Sequence, residues 1–164
     1  MRLVVDSPIG PLGVELDEFD GFDGGTVIGV RFGASPVTDL SDKSAVVEQL
    51  EGYFAGTVTE FTVPISMRGG SSFERFVWAE IAKIPYGETR TYGDIAKAFG
   101  DVGAARAVGT ACNRNPVPVL VPCHRVVGAG NKLVGFGGGL PRKRQLLELE
   151  ARVSLERAWG FAGE

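Results

Sequence analysis

With 164 residues the chain has room for one domain, or for a small one joined to a compact larger one, and it needs no covalent staples to bury a core. Two cysteines, one histidine and no CxxC pair cannot build a four-ligand structural zinc site without several carboxylates, so neither a metal nor a cofactor is expected. The net charge of −3 argues against a polyanionic partner for the whole chain, but residues 1–72 carry −7 and residues 73–164 carry +4, which leaves the second half as the part that would meet one.

The amino-terminal third alternates short apolar runs with turn residues. Leu3-Val4-Val5 and Leu12–Leu16, separated by Ser7-Pro8-Ile9-Gly10-Pro11, predict a β-hairpin. Asp17–Gly25, rich in Asp and Gly, reads as a loop, and Thr26–Phe32 as a third antiparallel strand. Ser44–Phe54 puts Ala45, Val46, Leu50 and Phe54 roughly on one helical face and stops at Gly56. Thr57–Val63 reads as a further strand, and Pro64–Ser72 as an extended linker.

From Ser72 the period becomes helical. Ser71 or Ser72 caps a helix carrying Phe73, Phe76, Val77, Ile81 and Ile84, ended by Pro85 and Gly87. Thr91 then caps Tyr92–Phe99, with Asp94 placed for a shortened capping box. Gly100–Gly103 leads into Ala104–Asn113, so two short helices joined by a glycine-bearing turn form a helix-turn-helix pattern. Small residues from Ala104 to Ala111 let another surface approach that second helix, with Arg106 projecting from them; close helix–helix packing is the alternative. Gly135–Gly139 is a flexible loop, and Leu140-Pro141 opens the last helix. No Gly-Lys-Ser/Thr follows, which excludes a P-loop. Leu146, Leu147 and Leu149 bury that helix, and Glu150 falls on or near the same face, where an acid needs a partner. The expected fold is α+β. Residues 1–68 form an α/β domain with a small antiparallel sheet, and residues 69–164 form a mainly helical domain containing the helix-turn-helix.

The chemistry concentrates in Pro116–Val126. Three prolines restrict the backbone, Val119-Leu120-Val121 anchors it as a short buried segment, and Cys123-His124 follows directly. No secretory signal and no long apolar span are present, which predicts a soluble cytoplasmic protein with free thiols, although a Cys112–Cys123 disulfide is possible on paper. A thiol attacks only as its thiolate, and His124 is the one group able to take its proton near neutral pH. Neighbouring residues on an extended chain point apart, so a bridging water or a local turn must connect them. Glu150 can orient the imidazole, and Asn115 can tie the turn through its side chain. A buried, inert cysteine is the competing reading.

Pro122-Cys123-His124-Arg125-Val126 resembles the active-site signature of the O6-alkylguanine-DNA alkyltransferases, also called methylated-DNA–protein-cysteine methyltransferases. Further blocks are similar and in family order: Phe73–Trp78, Ile84–Thr89, Tyr92–Ala96, Ala105–Gly109, Asn113–Pro118, and the Gly138-Gly139-Leu140 to Glu150 ending. The resemblance covers essentially all of residues 72–150. It is weaker in the amino-terminal half, resting there on Ser7–Leu12 and Tyr53–Gly56.

The resemblance implies that Cys123 takes the alkyl group from O6 of guanine permanently, once per molecule. His124 would draw the thiol proton through a water, Glu150 would hold His124, and Asn115 would brace the turn. Tyr92 would donate a proton or hydrogen bond to the departing base. The base must first leave the stack. Arg106 would fill the gap, and the small residues around it, including Ala105 and Gly109, would lie in the minor groove. Arg114, Pro118, Val126, Phe136 and Gly137 complete the DNA and substrate contacts, with main-chain groups of Cys123 and Val126 on the guanine. Arg125, Lys143 and Arg144 are candidates for phosphate contacts or structural pairs. The implied partner is double-stranded DNA containing O6-alkylguanine, with O4-alkylthymine as a possible second lesion; the protein is expected to be a monomer that does not engage a membrane. Gly137 departs from a family preference for a hydroxyl or methyl side chain, which predicts a looser lid. The first domain lacks the cysteines and histidines with which some relatives bind zinc. Rival readings are a non-catalytic alkylguanine binder, a cysteine hydrolase using Cys123, His124 and Glu150, and a transcriptional regulator. The retained cysteine opposes the first, and the alanines and glycine of the second helix oppose the last.

Overall fold

Alternating apolar residues build the first sheet. In a computed structural model, which describes residues 1–18, 24–33 and 44–160, β1 (Arg2–Val5), β2 (Leu12–Asp17) and β3 (Thr26–Phe32) form an antiparallel sheet in that order. Leu3 pairs with Val14 and Val5 with Leu12, so the buried side chains of both strands share one face. The expected loop Asp17–Gly25 lies partly outside the described residues. Helix α1 (Ala45–Ala55) buries Val46, Leu50 and Tyr53 at helical spacing, and Gly56 closes it at φ 81°, a left-handed conformation glycine adopts without strain.

Residues 57–63 do not form the expected strand. Their backbone donors are taken locally: Gln49 Oε1 on α1 accepts from Thr62 N (2.9 Å), and Thr57 N and Val58 N donate to Gly52 O. A strand needs those groups for a neighbour, and the helix has claimed them. Among the described residues, the sheet-like contact here comes slightly later, where Val27 exchanges hydrogen bonds with Pro64 and Ser66 around an isolated bridge to Ile65.

Backbone contacts divide the described chain into two units. One contains residues 1–68 together with Pro116–Leu120; the other contains residues 69–115 and 121–164. The excursion is anchored in the first unit by Val30 N donating to Pro116 O at 2.9 Å. Val119 within it is buried and sits at φ 73°, a conformation a β-branched residue adopts only when its surroundings impose it.

In the second unit, α2 (Ser72–Ala82) starts with a full capping box: Ser71 Oγ accepts from Glu74 N, and Glu74 Oε1 accepts from Ser71 N. Ser71, not Ser72, is therefore the cap. A two-residue strand β4 (Arg90–Thr91) runs into α3 (Tyr92–Phe99), where Thr91 and Asp94 repeat the capping box. A 3-10 turn at Val102–Ala104 connects α3 to α4 (Ala105–Asn113). The buried Trp78 indole donates to Ala111 O at 2.8 Å, tying α2 to α4. Strand β5 (Val126–Val127) pairs in parallel with β4, and α5 (Leu140–Ala158) begins with Pro141 in its first turn. On α5 the buried residues are Lys143, Leu146, Glu150 and Val153, whereas Leu147 and Leu149 are half-buried. No described helix is long and apolar enough to cross a membrane.

Each capping box satisfies two orphan amides, so Ser71→Ala and Thr91→Ala should each lose about 1 kcal/mol in denaturant unfolding. Exchange of Thr91 for serine should lose less, since the accepting oxygen remains.

Candidate active site

Pro122 sets the geometry of the thiol. Its φ of −82° and ψ of 66° make an inverse γ-turn, closed by Cys123 N donating to Val121 O at 2.8 Å. The side chain of Asn115 donates to the same carbonyl at 2.8 Å. Asn115 is where the chain leaves the second unit and Val121 is where it returns, so this bond closes the excursion at its base. Beyond Pro122, residues Cys123–Arg125 form one buried 3-10 turn, with Arg125 N donating to Pro122 O. Both cysteines are free and buried.

The turn aims His124 and Arg125 together at α5. His124 Nε2 lies 2.6 Å from Glu150 Oε2; Arg125 reaches Glu150 Oε1 through Nε at 2.7 Å and Oε2 through its NH2 group at 3.0 Å. Arg125 also donates to Ile84 O at 2.7 Å, and Gly87 N donates to Glu150 Oε1 at 3.2 Å. All of this is buried: His124 is 0 % and Glu150 1 % exposed. Arg125 is thus a structural partner of Glu150, which removes it from the candidates for phosphate contact. The sequence signal for it was the demand of a buried acid for a counter-charge. Gly87, placed in the sequence as a helix terminator, also has a role here: at φ 79° a Cβ would meet the Ser154 side chain.

These contacts decide the protonation pattern. Burial pushes the Glu150 carboxyl up, but hydrogen bonds from His124 and Arg125 and the charge on Arg125 outweigh it and hold it at about 2. Burial pulls His124 below its usual value, against the opposing pull of Glu150. A carboxylate can only accept, so neutral His124 carries its proton on Nε2. That leaves Nδ1, buried and without a hydrogen-bond partner among the described residues, as the basic atom. Burial raises the Cys123 thiol to about 11, while the Asn115 side chain, Lys143 and the amides of Cys123 and His124 favour the thiolate. At rest the sulfur is a thiol. Cys112 is raised further, to about 12, chiefly by burial.

Tyr92, the first residue of α3, is carried beside β5 by the β4–β5 ladder. Its hydroxyl donates to Val134 O at 2.6 Å, and burial raises it to about 12. Lys143 donates to Tyr92 Oη (3.2 Å), Val126 O (2.5 Å), Val134 O (3.3 Å) and Gly135 O (3.1 Å). With Lys143 at 0 % exposure, a phosphate contact is ruled out for it. Its place was legible in the spacing, because Lys143, Leu146, Glu150 and Val153 share one helical stripe.

The remaining candidates other than Pro118 are spread over the second unit. Arg106 is exposed on α4, Ala105 and Gly109 are half-buried beside it, and a Cβ on Gly109 would lie 3.8 Å from the Tyr92 ring. Arg114 is largely exposed and lies 3.8 Å from Glu74. Val126 N–H bonds Cys123 O and its carbonyl accepts from Lys143, so each of these two carbonyls keeps one lone pair. Phe136 is half-buried, and a Cβ on the exposed Gly137 would sit 3.6 Å from Asn113 O, an ordinary contact. Pro118 is buried in Pro116–Leu120, the segment that belongs with the first unit.

Residues 72–152 match the family described as 6-O-methylguanine DNA methyltransferase, DNA binding domain. The chain is 57% identical over 111 residues to a methylated-DNA–protein-cysteine methyltransferase of Mycolicibacterium paratuberculosis, covering 68% of this chain and 67% of that one. With the protein of the same name from Mycobacterium leprae it is 46% identical over 154 residues, 89% of each chain. Among solved structures, the O6-methylguanine methyltransferase of Mycobacterium tuberculosis superposes with a TM-score of 0.78 at 45% identity over 92% of both chains. The OGT protein of that organism, solved in complex with DNA, gives 0.76 at 44% identity and the same coverage.

Glu150 is held far below the ordinary carboxylate value of 4.5, so its contribution to stability is complete above that pH and lost as pH falls toward 2. A shift of this size corresponds to about 3 kcal/mol. Glu150→Gln leaves Arg125 buried without a counter-charge and should cost about 3–5 kcal/mol at neutral pH. Unfolding free energies of the two proteins should converge on acidification. Curves that stay parallel down to acid pH would show that Glu150 is not the group responsible.

Proposed function

The chain belongs to the methylated-DNA–protein-cysteine methyltransferases, and we propose that it repairs DNA by moving the alkyl group from O6 of guanine onto Sγ of Cys123. The observation that carries this reading is the buried run from the Cys123 turn through His124 to a Glu150 carboxylate held by Arg125. A base with a fixed tautomer and a free Nδ1 is what a thiol raised to about 11 needs.

In the step itself, the Cys123 proton passes to His124 Nδ1 through a water, and Glu150 stabilises the imidazolium formed. Sulfur forms a bond to the alkyl carbon as the carbon–O6 bond breaks, and guanine leaves with that electron pair. Tyr92 donates a hydrogen bond to the base as charge develops on it. The thioether has no route back, so each molecule acts once. Asn115 keeps the sulfur aimed by holding Val121 O, the carbonyl that also closes the turn before Cys123.

The second unit is proposed as the DNA-binding and transfer domain and the first as its support. Helices α3 and α4 would act as a helix-turn-helix whose second helix enters the minor groove on its small residues, Ala105 and Gly109 among them. Arg106 would take the place of the flipped nucleotide. Arg114 would meet a phosphate; Val126, Phe136 and Gly137 would line the base site. A free methyl-sized space at Gly137 supports tolerance of larger alkyl groups. O4-alkylthymine as a second substrate, action as a monomer and a cytoplasmic location complete the proposal.

Incubation with a duplex bearing O6-methylguanine should add one methyl group, located on Cys123 and saturating at one per chain by intact mass. Cys123→Ala should abolish the gain while keeping DNA affinity. Repeated turnover, or label on Cys112, would sink the single-use mechanism at Cys123. Arg106→Ala should slow repair in duplex far more than attack on a free O6-alkylated base, because only the duplex requires a flipped nucleotide to be replaced. Equal slowing on both substrates would remove Arg106 from that role.

A further inference from the structure

Tyr92 poses a difficulty for the transfer reading. Its hydroxyl has one proton, and that proton is already committed to Val134 O at 2.6 Å. To donate to a departing base, the O–H must rotate away and give up that carbonyl. Val134 and Gly135 lie in the loop that precedes Phe136 and Gly137, so a released carbonyl would free that loop at the moment of reaction.

Lys143 stands where that loss can be absorbed. Its ammonium faces four oxygens within 3.3 Å: Val126 O, Gly135 O, Tyr92 Oη and Val134 O. Its three protons and the one on the Tyr92 hydroxyl together match these four oxygens, so a turn of that hydroxyl leaves Val134 O to the ammonium alone. The longest contact is to Val134 O, the acceptor that Tyr92 currently serves. The stem of Lys143 is buried beside Leu146 on α5, and its nitrogen lies 5.5 Å from the centre of the Tyr92 ring. The cation therefore has no competing solvent and little freedom to leave.

We propose that Lys143 is a positioning residue for the transfer step: its ammonium takes over Val134 O and keeps the Val134–Gly135 loop in place when the Tyr92 hydroxyl turns to the leaving base. The role rests on the reading of Cys123 as the alkyl acceptor and of Tyr92 as donor to the base. It assigns Lys143 no contact with substrate. Its effect runs through two groups it touches, one a side chain that acts and the other a loop that must stay.

The test is a double-mutant cycle on single-turnover transfer from an O6-methylguanine duplex, with hydrogen exchange of the amides in residues 132–137 of each free protein. Tyr92→Phe should slow transfer roughly a hundredfold yet keep loop protection, because Lys143 still holds both carbonyls. Lys143→Met should slow transfer roughly tenfold and raise exchange in the loop, and Lys143→Arg should recover part of both losses. With Tyr92 already replaced by phenylalanine, Lys143→Met should cost at least as much as it does alone, because neither side chain is then left to hold Val134 O. A Lys143→Met loss that vanishes in the Tyr92→Phe background, or loss of loop protection in Tyr92→Phe by itself, overturns the proposal. Should Lys143→Met fail to fold, the exchange result for Tyr92→Phe decides alone. Failure of the unmodified chain to gain a methyl group on Cys123 is a different result: it overturns the transfer reading, and this role with it.

Discussion

A single buried carboxylate organises the second unit. Glu150 sits on α5, far in sequence from the residues it holds, and receives His124, Arg125 and the Gly87 amide at once. Burying such a charge alone would be prohibitive, and burying it with one partner would about break even. The bidentate arginine makes the burial sustainable, because it satisfies both carboxylate oxygens while anchoring itself on Ile84 O. Neutrality of the ion pair in turn leaves the histidine uncharged. The arrangement thus does two things: it pins the Cys123 turn to the last helix, and it sets the tautomer of the base.

Aim comes from backbone, not from flexible side chains. An inverse γ-turn at Pro122 and a 3-10 turn at Cys123–Arg125 lead straight into β5, which pairs in parallel with β4. Because β4 runs directly into α3, the ladder fixes Tyr92 relative to the thiol turn through hydrogen bonds that no rotamer change can break. Reaction steps that depend on placement gain most from this kind of preorganisation. The resting thiol, kept protonated by burial, is consistent with a nucleophile released only when a substrate is present.

The two buried charges of α5 behave differently. Around Glu150 both carboxylate oxygens are held by His124 and Arg125. Around Lys143 the four oxygens are matched only while Tyr92 gives its own proton to Val134 O. A network whose balance depends on one rotatable hydroxyl can shift between arrangements, whereas a fixed one rigidifies. That contrast places the adjustable part of the site at the loop and the fixed part at the base.

Much of the architecture is local and therefore legible in the sequence. The hairpin, the third strand, the capping boxes at Ser71 and Thr91, Gly56 as a left-handed stop and Pro141 in a first turn all follow from interactions within a few residues. The helical stripe on α5 also shows that an acid lies among leucines. The errors and omissions have one cause. Residues 57–63 have strand-like composition, yet their amides are claimed by Gln49 and Gly52, which only the folded helix presents. The identity of Glu150's partners, the burial of Lys143 and the attachment of Pro116–Leu120 to the first unit depend on contacts between residues distant in the chain. Sequence alone determined the locally specified elements and which residue types can do chemistry. Tertiary structure decided which charges meet, because a buried charge is tolerated only where folding delivers its counterpart.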